Sequence, residues 1–269
     1  MLVNDGKNMC TLENKAAFIT GGGQGIGRGI ALELAKAGAA VIVTQRNLEG
    51  AKAVAAEIEA LGGRAIALTL DVSQTASINH CIGAAFEAFP HIDILVNNAG
   101  VAQQHFALDT TIDSFDRCYE VNLRGAWAVA NAFIPQFKQN KAGKIINIAS
   151  IEGRKGTFHQ PAYAASKAAL ISLTQSLATI LGPENINVNT VCPGPVWTPQ
   201  QENYQRLASQ RGEIAAEKVT EDSFFDHLID YIPLRRAASC EDIGHAVVFL
   251  ASEKAKNITG QALNVDAGL

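Results

Sequence analysis

This chain predicts an α/β fold: a single doubly wound parallel sheet of about seven strands, covered by helices on both faces, as three observations indicate. From Lys15 onward, short apolar runs of strand length alternate with longer segments of helical period. The 269 residues suffice for one sizeable core, since single α/β domains reach roughly 250 residues without splitting. Hydrophobic residues make up 48% and charged residues 18%, which excludes the composition of a disordered chain.

The strands are predicted at Ala16 to Thr20, Val41 to Thr44, Ala65 to Leu70, Ile94 to Val96, Lys144 to Ala149, Ile186 to Val191 and Ala262 to Val265. Each run is too short for a helix. Between the first two, Ile26, Ile30 and Leu34 recur at spacing four and give the segment Ile26 to Ala37 one apolar face for the sheet. Gly38 suits a left-handed cap at its end, and Gly62-Gly63 end a second helix that begins near Leu48.

Residues 1–13 read as an N-terminal tail and residues 14–269 as one domain. The segment of about 199–235 interrupts the alternation. It spaces Tyr204, Phe224, Phe225 and Tyr231 among charges and reads as a helical lid over the active site. The long segments Thr111 to Lys138 and Pro161 to Leu181 carry more apolar and small residues than one sheet face needs, which points to a subunit interface.

A formal net charge of −4 gives no long-range attraction to nucleic acid or to anionic lipid, and no run of about 18 apolar residues reads as a membrane span. The five cysteines, Cys10, Cys81, Cys118, Cys192 and Cys240, are scattered without CxxC spacing, so free thiols rather than a metal site are expected. The first residues lack a basic and apolar leader, and a cytoplasmic protein is expected.

After the first strand comes Thr20-Gly21-Gly22-Gly23-Gln24-Gly25-Ile26-Gly27, with the first helix starting inside the run. Glycines permit a tight turn and close approach of backbone to a pyrophosphate, which unpaired N–H groups at the helix start then hold. In a first βαβ unit this is a Rossmann-type dinucleotide site.

The spacing Gly-xxx-Gly-x-Gly resembles that of the short-chain dehydrogenase/reductase family, and further motifs follow in the family's order. Asn97-Asn98-Ala99-Gly100 follows the fourth strand, Asn122 lies in the next helix, and Ser150 ends the fifth strand. Tyr163-Ala164-Ala165-Ser166-Lys167 then precedes Pro193-Gly194 and Thr198. The resemblance covers almost the whole chain. It implies an NAD(P)-dependent oxidoreductase acting on CH–OH groups, with Gly21, Gly25 and Gly27 at the pyrophosphate and Asp71 at the adenine. It also puts Asn98 in support of the cofactor site and Val196 and Thr198 at the nicotinamide carboxamide. Gly23, Gln24, Ile26, Val72, Ala99, Gly100, Pro193 and Gly194 complete the implied cofactor site, and no metal is required. Family members are commonly tetramers, which implies a homotetramer here, with a dimer as the alternative.

Oxidising a secondary alcohol needs a base for the hydroxyl proton while hydride leaves the same carbon. A free tyrosine, with a pKa of about 10, is a poor base at neutral pH, but a lysine one helical turn away stabilises the phenolate. Tyr163 and Lys167 have that i, i+4 spacing. With the resemblance, Tyr163 exchanges the proton, Lys167 supports it and binds the nicotinamide ribose, and Ser150 hydrogen-bonds the reacting oxygen. Asn122 holds a water linking Lys167 to solvent.

At the end of the second strand, Thr44-Gln45-Arg46-Asn47 offers no carboxylate for a ribose 2′-hydroxyl, whereas Arg46 suits a 2′-phosphate. NADP(H) is favoured, with NAD(H) left open because Gln45 can also bond a hydroxyl. Gln103, Gln104, Glu152, His159, Gln160 and Trp197 are the expected pocket groups, and so many polar side chains suit a polyol, sugar or small diol. The segment Ala169 to Val191 resembles polyol (sorbitol-type) or butanediol dehydrogenases. A rival reading is a 3-oxoacyl-thioester reductase, against which the lid from Gln200 to Asp230 sets seven acids (Glu202, Glu213, Glu217, Glu221, Asp222, Asp226, Asp230) and only three bases (Arg206, Arg211, Lys218), a poor field for an acidic carrier. A non-catalytic dinucleotide sensor is the rival from another class, and retention of both Tyr163 and Lys167 speaks against it.

Overall fold

The computed structural model describes residues 10–102, 109–157, 159–212, 214–226 and 228–269. Its strands are β1 (Ala16–Thr20), β2 (Ala40–Gln45), β3 (Ala65–Thr69), β4 (Ile94–Asn97), β5 (Gly143–Ile148), β6 (Ile186–Pro193) and β7 (Ala262–Val265). All neighbouring strands run parallel, in the order β3-β2-β1-β4-β5-β6-β7. The predicted strands all form, with ends shifted by up to two residues.

One face of the sheet is covered by α1 (Gly25–Lys36), α2 (Leu48–Ala60) and α9 (Cys240–Ala251), whose Ile30, Leu34, Val54, Ile58 and Val247 pack with Ile19, Val41 and Val96 of the sheet. The other is covered by α3 (Thr75–Ala88), α5 (Ala126–Asn140) and α6 (Pro161–Leu181), where Phe133 stacks near Phe18 with ring centres 5.0 Å apart. Gly38 has φ +100°, so the left-handed position predicted after α1 is present.

The predicted long helix Thr111 to Lys138 forms, running without a gap from Ile112 to Asn140 with a π-helical turn inside it. α4 (Ile112–Tyr119) gives way to a π-helical turn, Glu120–Gly125, before α5 begins. Two further helices, α7 (Pro199–Gln210) and α8 (Glu221–Asp226), occupy the predicted lid. α6 and the turn after it, Pro161–Glu184, are long and apolar enough by composition to cross a bilayer, contrary to the sequence expectation that no such run exists. The helix nevertheless packs on the sheet through Leu170, Leu177 and Leu181, all buried.

A row of polar residues crosses the sheet near the carboxyl ends of its strands. The register pairs Thr44 with Thr20, Thr20 with Asn97, Asn97 with Asn147 and Asn147 with Thr190. Each is buried. Between β1 and β4 the strand order reverses, and the crevice outside such a switch point is where open α/β sheets take ligands.

Candidate active site

The turn from β1 into α1 is shaped by glycine where nothing else fits. A Cβ on Gly27 would lie 2.1 Å from the Gly21 carbonyl oxygen and 2.5 Å from Asn98 Nδ2. Gly21 and Gly25 have φ +65° and +51°. At the N-cap of α1, Gln24 makes no side-chain capping bond with the described residues, and the first turn holds no acid. Its leading N–H groups therefore face a groove of about 310 Å³ ready for an anion. Asn98 Nδ2 donates to the Thr20 and Gly21 carbonyls at 3.0 and 2.9 Å, and Thr20 Oγ1 accepts from the Asn98 and Ala99 N–H groups. Asn98 thus braces the turn from β4.

The groove is lined by Gly21, Gln24, Gly25, Ile26, Gly27, Gln45, Arg46, Asp71, Val72, Asn98, Ala99, Gly100, Tyr163, Lys167 and Thr198, as the sequence expectation placed them. Asp71 Oδ1 accepts from the Ser73 backbone and hydroxyl at 2.9 and 2.6 Å. Burial pushes its carboxyl upward, but these bonds, with Arg117 and Arg46, hold it below the usual value.

Four expected residues sit elsewhere. The Gly23 N–H donates to Gln45 Oε1 at 2.8 Å, and a Cβ there would meet Gly50 of α2, so Gly23 serves the contact between turn and helix. Pro193, Gly194 and Val196 line a second, adjoining cavity, because β6 runs on to Pro193 and carries the chain past the groove.

The second cavity, about 710 Å³, shares Tyr163 and Ala149 with the first. Tyr163 stands in the first turn of α6 behind Pro161, which suits an opening helical position. Ser150 stands two residues past the end of β5 and is hydrogen-bonded to Tyr163. One turn on, Lys167 Nζ donates to the Ile148 carbonyl at 2.8 Å and lies 5.6 Å from the centre of the Tyr163 ring. Burial brings the Lys167 ammonium down to about 8. Burial also pushes Tyr163 well above the usual phenol value, helped by the charge of Glu152 and opposed by the Ser150 hydrogen bond. Positive charge placed beside the phenol opposes that rise.

Asn122 sits in the π turn and ties three segments together. Its Oδ1 accepts from the Val101 N–H at 2.8 Å, and its Nδ2 donates to the Val101 carbonyl and to Ser166 Oγ. Ser166 Oγ in turn donates to the Tyr163 carbonyl at 2.7 Å. The amide of Asn122 is thereby committed to positioning.

Glu152, His159 and Gln160 line the second cavity, as expected for substrate contacts. Trp197 does not. Val196 and Thr198 turn inward, and the intervening Trp197 lies against Phe224 with ring centres 5.5 Å apart. Gln103 and Gln104 lie outside the described residues. The lid adds apolar groups, Tyr204, Ile214, Phe224 and Leu228, so the cavity is polar near Tyr163 and apolar above it. Burial raises the Glu152 carboxyl, with Lys155 opposing. Among the described residues no three His, Cys, Asp or Glu side chains gather as a metal site. Cys192 is buried and its thiol is pushed up to about 11, which suits packing rather than attack.

Three contributors escaped the sequence reading. Thr20 and Ser166 lie inside quoted motifs, and the bonds they make were not legible as such. Arg117 reaches the groove beside Asp71 from α4, for which the sequence gives no signal.

Residues 21–269 match a family model described as enoyl-(acyl carrier protein) reductase. The L-rhamnose 1-dehydrogenase (NAD(P)(+)) of Sphingomonas sp. (strain SKA58) is 37% identical over 263 residues, 97% of this chain and 98% of that one. A 3-oxoacyl-[acyl-carrier-protein] reductase of Staphylococcus epidermidis is 34% identical over 257 residues, 95% of this chain and 99% of its own. A solved 7 alpha-hydroxysteroid dehydrogenase, complexed with NADH and 7-oxo glycochenodeoxycholic acid, has a TM-score of 0.85 and 33% identity, covering 96% of this chain and 95% of that one.

Proposed function

The chain belongs to the short-chain dehydrogenase/reductase family of oxidoreductases, and from that premise we propose that it moves a hydride between NAD(P) and a secondary alcohol or ketone, with a polyol, sugar or small diol as substrate. The observation that carries this is the placement of Tyr163, which lines both cavities at once with Ser150 bonded to it and Lys167 behind it.

The residues of the nucleotide groove fit a dinucleotide: N–H groups at the start of α1 and one Asp71 oxygen that no bond among the described residues engages, and glycines at which an added Cβ would crowd Asn98, Ala99 or Thr198. A bound nicotinamide supplies the hydride acceptor in alcohol oxidation and the hydride donor in ketone reduction. Ser150 and Tyr163 hold the substrate oxygen, and Tyr163 takes its proton or returns it. The Lys167 ammonium lowers the cost of the phenolate and holds the nicotinamide ribose. For Asn122 we keep a part in resupplying protons to Lys167, at its backbone, since its side chain is committed to Val101 and Ser166.

NADP(H) is the preferred cofactor in this reading, with NAD(H) the alternative. Gln45 has its oxygen engaged by Gly23, which leaves an amide donor there, and Arg46 lines the same groove without a carboxylate beside it on β2. We further propose a cytoplasmic homotetramer, with a dimer as the alternative. Ile112, Phe115, Tyr119, Trp127 and Ile180 are exposed apolar residues on α4, α5 and α6, and a monomer by light scattering would overturn it.

Initial rates on sorbitol, other sugar alcohols, butanediols and an acetoacetyl thioester, each with both nucleotides, test the reading. Turnover of polyols or diols, faster with NADP(H), is expected. The thioester is a serious rival because one relative bears that activity in its name. A preference for it would contradict the substrate class and leave the hydride chemistry standing.

A further inference from the structure

Glu152 and Gln160 line the larger cavity together with Tyr163, and one side-chain oxygen of each, Glu152 Oε2 and Gln160 Oε1, is buried without a hydrogen-bond partner among the described residues. Buried acceptors are normally satisfied, so a pair left open beside a reaction centre points to donors carried by the ligand.

The backbone that carries the carboxylate is held in place. The Glu152 N–H donates to Ser150 Oγ at 3.1 Å and the Gly153 N–H to the Ser150 carbonyl at 3.0 Å, forming one 3-10 turn, Ile151–Gly153. A Cβ on Gly153 would lie 2.7 Å from the Lys167 carbonyl carbon, so the turn is seated directly on α6. Gln160 caps the same helix, its carbonyl accepting from the Ala164 N–H at 2.9 Å. Ser150, Glu152, Gln160 and Tyr163 thus keep fixed relative positions on two rigid elements.

We propose that Glu152, assisted by Gln160, binds a hydroxyl on the carbon next to the reacting one, so that the substrates are vicinal diols in oxidation and α-hydroxy ketones in reduction. The second hydroxyl is bound and not consumed. The carbinol C–H leaves as hydride to the nicotinamide, the reacting O–H gives its proton to Tyr163, and a C=O bond forms. Two features fix the distance and the donor. Glu152 is only two residues from Ser150 and lines the same cavity as Ser150 and Tyr163, so the group it meets is close to the reacting carbon. Lys155 already faces the carboxylate and Lys167 stands behind Tyr163, which disfavours an ammonium and leaves a neutral hydroxyl. This inference rests on the hydride-transfer reading above.

The test compares kcat/KM of wild type, Glu152→Gln and Glu152→Leu on 2,3-butanediol against 2-butanol, acetoin against 2-butanone, and 3-amino-2-butanol, with both nucleotides. Wild type is expected to favour diol over mono-alcohol and hydroxy ketone over ketone by at least about tenfold, because a site built to bond a hydroxyl rejects the analogue lacking it. In Glu152→Leu that ratio falls close to one, mainly through KM, and in Glu152→Gln part of it survives. A wild-type ratio near one, an unchanged ratio in Glu152→Leu, or a preference for the amino alcohol overturns the proposal while leaving hydride transfer intact. Absence of turnover on all five compounds overturns both. The wild-type ratio needs no variant, so a failure of Glu152→Leu to fold does not protect the idea.

Discussion

Lys167 Nζ stands 5.6 Å from the centre of the Tyr163 ring while donating to the Ile148 carbonyl at 2.8 Å, so β5 aims a cation at the side chain that must carry a negative charge. In Lys167→Met that charge is gone. We expect the rising limb of the pH profile for alcohol oxidation to move up by about one unit or more, because the phenolate then forms only at higher pH. An unmoved limb would mean that Lys167 does not support the base.

The same lysine gives stability a pH dependence of known sign. Its folded pKa of about 8 lies below the ordinary 10.5, so burying the charged form costs stability below pH 8, and the cost fades as pH rises toward 10.5. Relative to Lys167→Met, wild type should therefore gain on the order of 3 kcal/mol between pH 7 and pH 10.5. Urea denaturation of both proteins at the two pH values measures it. A constant gap would show that the ammonium is solvated.

The polar row across the sheet is anchored by Thr174 of α6. Its hydroxyl accepts from Asn147 Nδ2 at 2.8 Å and Thr190 Oγ1 at 2.7 Å, and donates to the Leu170 carbonyl. Thr174→Val keeps the shape and takes the acceptor from Asn147 Nδ2 and Thr190 Oγ1 in the core. We expect a loss of about 1–3 kcal/mol in unfolding free energy, and a loss below about 0.5 kcal/mol would mean that the network repairs itself.

Two glycines should respond in opposite directions. Gly27→Ala places a Cβ against the Gly21 carbonyl, and nucleotide affinity measured by fluorescence titration should fall at least about tenfold. Gly83, inside α3, has nothing within 4 Å of the added atom. Gly83→Ala should stabilise the protein by about 0.5–1 kcal/mol without touching nucleotide affinity. Equal effects would contradict the assignment of the turn.

The sheet was legible because period-2 and period-3.6 patterns are set by burial, and burial is what a sequence records most directly. The exact ends of β1 and β7 and the left-handed Gly38 came from such local signals. The π turn at Glu120–Gly125 did not, since one extra residue in a turn barely disturbs the spacing of apolar residues. The pairing of Tyr163 with Lys167 was readable because the two share one helix. Arg117 meets Asp71 across a long stretch of chain, and Trp197 faces Phe224 rather than the cavity because of how the chain turns after β6. Which acceptors stay unpaired, as Glu152 does, depends on the packed structure alone.

The most direct test of the central claim is Tyr163→Phe, which removes one hydroxyl and keeps the ring. With any substrate that wild type turns over, we expect kcat to fall by about 10²–10⁴ while nucleotide affinity, read by fluorescence titration, stays within about twofold. Unchanged kcat in the folded variant would contradict the assignment of Tyr163 as acid and base, and with it the mechanism built on this site.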